Sequence, residues 1–221
     1  MVLAGGGARR LAGLDKASLE VGGLALLDRV LSAASGAARI VVVGPERDLT
    51  GGARRVIRVQ EDPPGAGPVA ALQAGLAVVG APVVVLLAAD LPFLPGALVT
   101  ELADTVAASG TAPVTGMGPA GAVVLDDEGQ PQWLLSAWPV GVLRQVLAGA
   151  APSASLRSVL GRLAFAEVRP AGWPDPVWYD CDTPEQLEEA RRREGTRHDP
   201  RPDPRPDPRP DPPADAADLG A

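Results

Sequence analysis

The chain predicts a doubly wound α/β domain, with a mostly parallel sheet and helices on both faces. Three observations lead there. Short, fully apolar runs such as Ile40-Val-Val-Val43 and Val83-Val-Val-Leu-Leu-Ala-Ala89 read as strands buried on both sides. Longer amphipathic stretches alternate with them through the first half. At 221 residues and 46% hydrophobic content, the chain is long enough for one ordinary core. Aromatics are scarce, so that core is built from Leu, Val and Ala.

Residues 2–4 read as a strand running into the glycine-rich loop Gly5-Gly6-Gly7. A strand of about three residues is short against the usual five or six. It is therefore expected to be poorly anchored, or the start of the chain is set too late. Residues 24–35 read as a helix, with Leu27, Val30, Leu31 and Ala34 on one face. Residues 39–43 and 56–59 are strands. Residues 68–79 form a helix with proline in its first turn, where the missing N–H costs nothing. Residues 83–89 are a buried strand ending at Asp90, and 95–108 are helical.

The second half is less regular. Residues 122–125 and 132–137 read as strands around the turn Asp126-Asp-Glu-Gly129. Residues 140–147 and 156–163 read as helices, and 164–169 as a strand. Asp180 and Asp182 are expected to end a further strand, facing the same side. Thr183-Pro184-Glu185-Gln186 opens the last helix: Thr183 is a good N-cap, and Gln186 completes a capping box. Arg191, Arg192 and Arg193 at its end suit the helix dipole. The domain is taken as 1–193. From 197 to 221, Arg-Pro-Asp-Pro repeats forbid helix and block sheet pairing, so a disordered or polyproline-like tail is expected.

Composition excludes several functions. A formal net charge of −7 argues against nucleic-acid binding, although a single phosphate pocket needs only local donors. No apolar stretch is long enough to span a membrane, and the opening residues do not resemble an export leader. One cysteine, Cys181, fits a reducing cytoplasm, and one histidine, His198, leaves little room for histidine chemistry.

Of the 20 basic residues, only Lys16 is a lysine, and it closes the glycine-rich opening. A compact, mobile ammonium is not interchangeable with guanidinium where it must meet phosphate. Gly5, Gly6 and Gly7 let backbone N–H groups approach an anion, while Arg9, Arg10 and Lys16 add positive charge over it. A dinucleotide fingerprint is rejected, because residues 39–43 run into Gly44-Pro45 rather than an acidic residue. A Walker loop is rejected as well, because Lys16 is followed by Ala17. Asp90, at the carboxyl end of a strand, can hold Mg²⁺ against nucleotide phosphates. Asp182 can ligate the metal or simply contact the helix dipole. Asp62, in the loop Glu61-Asp62-Pro63-Pro64-Gly65, can accept from a nucleoside.

Leu3-Ala-Gly-Gly followed by Arg10 and Asp15-Lys16, then a Gly-Pro loop, Asp90-Leu-Pro and Asp182-Thr-Pro-Glu, resembles the molybdenum cofactor guanylyltransferases, within the Rossmann-like nucleotidyltransferases. The resemblance runs from Met1 to about Arg192. It implies that Leu3, Ala4 and Gly5 meet base and ribose through their backbone. It also implies that Arg10 and Lys16 bind the triphosphate, that Asp62 contacts the nucleoside and that Asp90 holds Mg²⁺. The implied reaction is attack by the terminal phosphate of molybdenum-molybdopterin on the α-phosphate of GTP in the cytoplasm, with molybdoenzymes or cofactor-insertion proteins as further partners. This chain departs from the family at Leu11-Ala12, at Ala71 and at Gly44, where an asparagine often touches the nucleotide. Alternatives are the same transfer from CTP or to another phosphorylated acceptor, and a non-catalytic nucleotide-binding accessory role. Trp133, Trp138, Trp173, Trp178 and Tyr179 offer stacking surfaces for a pterin, or simply sheet packing.

Overall fold

The computed structural model describes residues 1–5, 15–47, 56–109 and 118–198. Gly6, Gly7, Arg9, Arg10 and the tail after His198 lie outside the described residues.

β1 (Val2–Leu3) is followed by a 3-10 turn at Lys16–Ser18, a hairpin of β2 (Glu20–Val21) and β3 (Leu24–Ala25), and α1 (Leu26–Ala33). Next come β4 (Ile40–Val43), β5 (Val56–Val59) and α2 (Pro68–Ala77). After β6 (Val83–Ala88) and α3 (Gly96–Ala108) come β7 (Gly121–Leu125) and β8 (Pro131–Pro139). The chain then runs through α4 (Val140–Ala148), α5 (Leu156–Leu160), β9 (Phe165–Val168) and α6 (Pro184–His198).

The main sheet has seven strands in the order β5-β4-β1-β6-β8-β7-β9. β8 runs antiparallel to both neighbours, and the remaining pairings are parallel. The mostly parallel, doubly wound expectation holds.

Three local expectations do not. The helix foreseen over 24–35 begins only at Leu26, because Leu24–Ala25 pairs with Glu20–Val21 across Gly22-Gly23. Both glycines have positive φ, 61° and 76°, as a tight hairpin turn requires. The helix foreseen over 156–163 stops at Leu160, before Gly161. No strand precedes Asp180; it and Asp182 sit in the loop that enters α6. β1 has only two residues, yet it is firmly held. Val2 pairs with both Val42 and Leu87, and the Ala4 N–H donates to the Val43 carbonyl at 2.7 Å.

Strand alternation splits the core. Val2, Ile40 and Val42 face α1 and α3, whereas Leu3, Val41 and Val43 face α2, α4 and α5. Each such side chain, fully buried, contributes about 1.5–3 kcal/mol. A third cluster seats α6 on the small hairpin, with Val21, Leu26, Phe93, Cys181, Leu187 and Ala190 buried together. An ion pair between Arg29 and Glu194 at 2.9 Å ties α1 to α6.

From β1 the chain moves outward to β4 and β5, then returns through α2 to β6 on the other side of β1. Strand order therefore reverses between β1 and β6. In open α/β sheets that reversal leaves a crevice at the carboxyl ends of the strands.

Candidate active site

The crevice is present as a cleft of about 480 Å³. Leu3, Ala4 and Gly5 form its floor at the end of β1, and Ala88, Ala89 and Asp90 continue β6 beside them. Lys16 enters from the 3-10 turn, and Asp180 and Asp182 from the loop before α6. Gly65, Gly67 and Pro68 close the far side, bringing the N-terminal end of α2, where its dipole is positive, to the cleft. The fold thus gathers Leu3, Ala4, Gly5, Lys16, Asp90 and Asp182 in one place, as the sequence suggested.

Lys16 is the hub. Its Nζ pairs with the Asp182 carboxylate and lies 3.9 Å from Asp90 Oδ2. The side chain is about a quarter exposed, so it can turn toward an incoming anion. Burial, reinforced by Asp180 and Asp182, holds the Asp90 carboxyl above the usual carboxylate range, and Lys16 only partly offsets this. Asp180 is raised for the same reasons: burial first, then the charge of Asp182. Between them, burial and these carboxylates push the Cys181 thiol up to about 12, so it is inert as a nucleophile.

The turn carrying Lys16 is pinned from the segment after β4. Arg47 makes a two-pronged contact with Asp15, through Nε and through Nη2 at 2.8 Å, and the Ser18 hydroxyl donates to the same carboxylate at 2.8 Å. The Arg47 hydrogen bonds hold the Asp15 carboxyl below its usual range. On the opposite side, the capping box is intact. Gln186 Oε1 accepts from the N–H groups of Asp182 and Thr183, both at 2.8 Å, which fixes Asp182 at the head of α6.

Asp62 is not brought in: it is exposed and does not line the cleft. Its neighbour Glu61 does, buried to 6% exposure, with Oε1 accepting from the Gly65 N–H at 3.0 Å. The two-residue strand period held the signal. Ile57 and Val59 pack toward α2, and continuing the count places Glu61 on that face. Gly44, with φ of 146°, lies against the cleft floor. A Cβ there would come within 2.8 Å of the Ala4 and Gly5 backbone.

Among the described residues, no aromatic ring lines the cleft. Trp138 is core, its indole N–H donating to the Ser136 hydroxyl at 2.8 Å. Trp133 packs edge-on against Phe165, and Tyr179 packs against Phe93. Trp173 is exposed but lies elsewhere.

The donor chemistry suits a magnesium ion. Asp90 and Asp182 are hard oxygen donors that remain partly in contact with water, and Mg²⁺ typically takes one or two carboxylates together with substrate phosphates. Among the described residues there is no all-protein cage of three or more ligands. No described helix is long and apolar enough to cross a membrane.

The family model described as "MobA-like NTP transferase domain" matches residues 1–198. A molybdenum cofactor guanylyltransferase of Cereibacter sphaeroides is 31% identical over 194 residues, covering 86% of this chain and 93% of that protein. One from Bradyrhizobium sp. is 32% identical over 203 residues, covering 87% and 91%. Among solved structures, molybdopterin-guanine dinucleotide biosynthesis protein A from Archaeoglobus fulgidus superposes with a TM-score of 0.63 at 19% identity, over 88% of this chain and 97% of that one. A nucleotidyl transferase from Methanothermobacter thermautotroptrophicus gives 0.68 at 17% identity, over 89% and 96%. These two likenesses speak to the fold. With the match spanning nearly all of the folded chain, this protein belongs to the MobA-like NTP transferase domain family and is a nucleotidyltransferase.

Proposed function

We propose that the protein transfers GMP from GTP to the terminal phosphate of molybdenum-molybdopterin in the cytoplasm, releasing pyrophosphate and forming the guanine dinucleotide cofactor. The observation that carries this reading is the meeting of Lys16, Asp90 and Asp182 at the strand-order reversal, beside the exposed backbone of Gly5. The names of the relatives support the choice of GTP and of the pterin acceptor.

In this reading, an oxygen of the acceptor's terminal phosphate attacks the α-phosphorus of GTP. A P–O bond forms, and the bond to the pyrophosphate oxygen breaks. The acceptor phosphate is already ionised at neutral pH, so no general base is required, in keeping with a cleft that offers no histidine among the described residues. The work is positioning and charge neutralisation. Backbone N–H groups near Gly5 orient the nucleotide. The Lys16 ammonium leaves Asp182 and neutralises phosphate charge. Asp90 and Asp182 would hold Mg²⁺, which when bound supplies further charge neutralisation to the phosphates. Arg10, outside the described residues, is assigned to the triphosphate on the resemblance alone.

Pyrophosphate release with Mg²⁺ and molybdenum-molybdopterin, compared across GTP, CTP, ATP and UTP, tests the reading. A signal with GTP alone supports it. A preference for CTP moves the protein to cytidylyl transfer, and binding without release with any nucleotide leaves only an accessory role.

A further inference from the structure

Away from the cleft, a larger groove of about 1070 Å³ lies between α1 and α3, and it shares no lining residue with the cleft. Pro92, Phe93, Pro95 and Val99 give it an apolar lining. Trp173 and Leu24, 44% and 49% exposed, also line it. They are two of the three large hydrophobic side chains exposed among the described residues. Two such side chains on one groove mark a surface that something covers.

The last turns of α6 point to the occupant. Glu194 pairs with Arg29 at 2.9 Å, and Arg193 Nη1 lies 3.5 Å from Asp175. Arg29 and Asp175 both line the groove. α6 ends at His198, only about 6 Å of helix beyond Glu194. The chain from residue 199 onward therefore starts beside the groove. Its sequence is Asp199-Pro-Arg-Pro, repeated through Pro212. Each proline fixes its own φ and restricts the residue before it, so a polyproline helix is reached with little entropy left to lose. Helices of that kind dock on grooves lined by aromatic side chains. At about 3.1 Å per residue, one four-residue unit reaches about 12 Å, which matches the length of α3 from Gly96 to Asp104 along the groove.

We propose that this groove is the seat of the chain's own tail. One Arg-Pro-Asp-Pro unit lies along α3, with proline against the Trp173 ring and arginine against the exposed carboxylate of Asp104. Because the tail is tethered beside its seat, its effective concentration is on the order of millimolar, and a weak contact suffices. The seat lies apart from Lys16 and Asp90, so it covers Trp173 without entering the transfer chemistry.

The test is the indole N–H resonance of Trp173, assigned by its loss in Trp173→Phe, in the full chain and in a chain stopped after His198. The two positions should differ, while the resonance of Trp138, buried against Ser136, stays fixed. A synthetic peptide of residues 199–221, added to the shortened chain at about millimolar concentration, should move Trp173 toward its full-chain position. Thr100→Arg, at an exposed α3 position on the groove, lays a long cation across the seat. In that background the full and shortened chains should give the same Trp173 resonance. Identical positions in the two wild-type chains overturn the proposal. A difference that survives Thr100→Arg places the tail elsewhere and overturns it too. A difference that grows with protein concentration makes the occupant the tail of a second copy, which refutes the intramolecular seat. Should Thr100→Arg not fold, the peptide titration decides: an unmoved Trp173 refutes the proposal.

Discussion

Asp90 Oδ2 lies 3.9 Å from the ammonium of Lys16, yet its carboxyl is held above the usual range. Asp15, more exposed, is held below it by Arg47. The difference is one of supply. A guanidinium serves Asp15 directly, whereas Lys16 is shared by Asp90 and Asp182, beside Asp180, in a partly desolvated crevice. The carboxylates of the cleft outnumber the one ammonium that faces them, and a divalent cation would complement that arrangement.

Asp90→Asn is therefore expected to stabilise the protein while nearly abolishing transfer. A carboxyl whose folded pKa is raised destabilises the fold in its ionised form. That cost grows as pH rises from the unfolded value of 3.8 and is complete above the folded value. Scanning calorimetry should show Tm raised by roughly 2–4 °C at pH 7.5. The gain should shrink as pH falls toward 4. A Tm unchanged or lowered at neutral pH would show that Asp90 is not strained.

Lys16→Arg should lower turnover by about one to several orders of magnitude with the fold intact, because a planar, longer head group cannot swing between Asp182 and a phosphate as an ammonium does. Pyrophosphate release at wild-type rates would remove Lys16 from the chemistry.

Arg47 does not line the cleft, so its contribution is to position the Lys16 turn through Asp15. Arg47→Ala should raise KM for nucleotide several-fold and alter kcat less. The lost ion pair should cost under about 1 kcal/mol of stability, since the Asp15 side chain is 41% exposed. That stabilisation is present above the unfolded carboxylate pKa and is lost as pH falls through the lowered folded value. Urea unfolding should therefore separate wild type from variant most at pH 7, with the difference shrinking as pH falls below the usual carboxylate range.

Gly44→Ala places a Cβ 2.8 Å from the Ala4–Gly5 backbone in a conformation side chains avoid. We expect about 1–3 kcal/mol of destabilisation and weaker binding of every nucleotide alike. A selective loss of one nucleotide would instead mean that position 44 reads the base.

Removing the chain from residue 197 onward should leave transfer unchanged, because the site is complete by Asp182. Steady-state rates of the shortened protein check this.

Much of this was legible in the residues themselves. Apolar strands such as Ile40-Val-Val-Val43 can only be buried on both faces, and Thr183 and Gln186 carry their capping geometry in their chemistry. Asp90 was readable because it ends such a strand. Glu61 was masked by its neighbour Asp62: two adjacent acids look alike until the strand period decides which one turns inward. The Gly22-Gly23 hairpin was overlooked because Leu24 also fits a helical stripe, and backbone pairing with Val21 outweighed that stripe. Arg47–Asp15 joins positions 32 apart in sequence, and nothing local announces it.

Lys16 and Asp182 are separated by 166 positions, and together they make the charged end of the cleft. A ribosome must therefore deliver almost the whole folded domain before the charged end of the cleft is complete. Until the loop before α6 emerges, Lys16 has no Asp182 to hold it. Activity is thus a report on completed synthesis, and a molecule truncated anywhere before position 182 is expected to be silent rather than partially active.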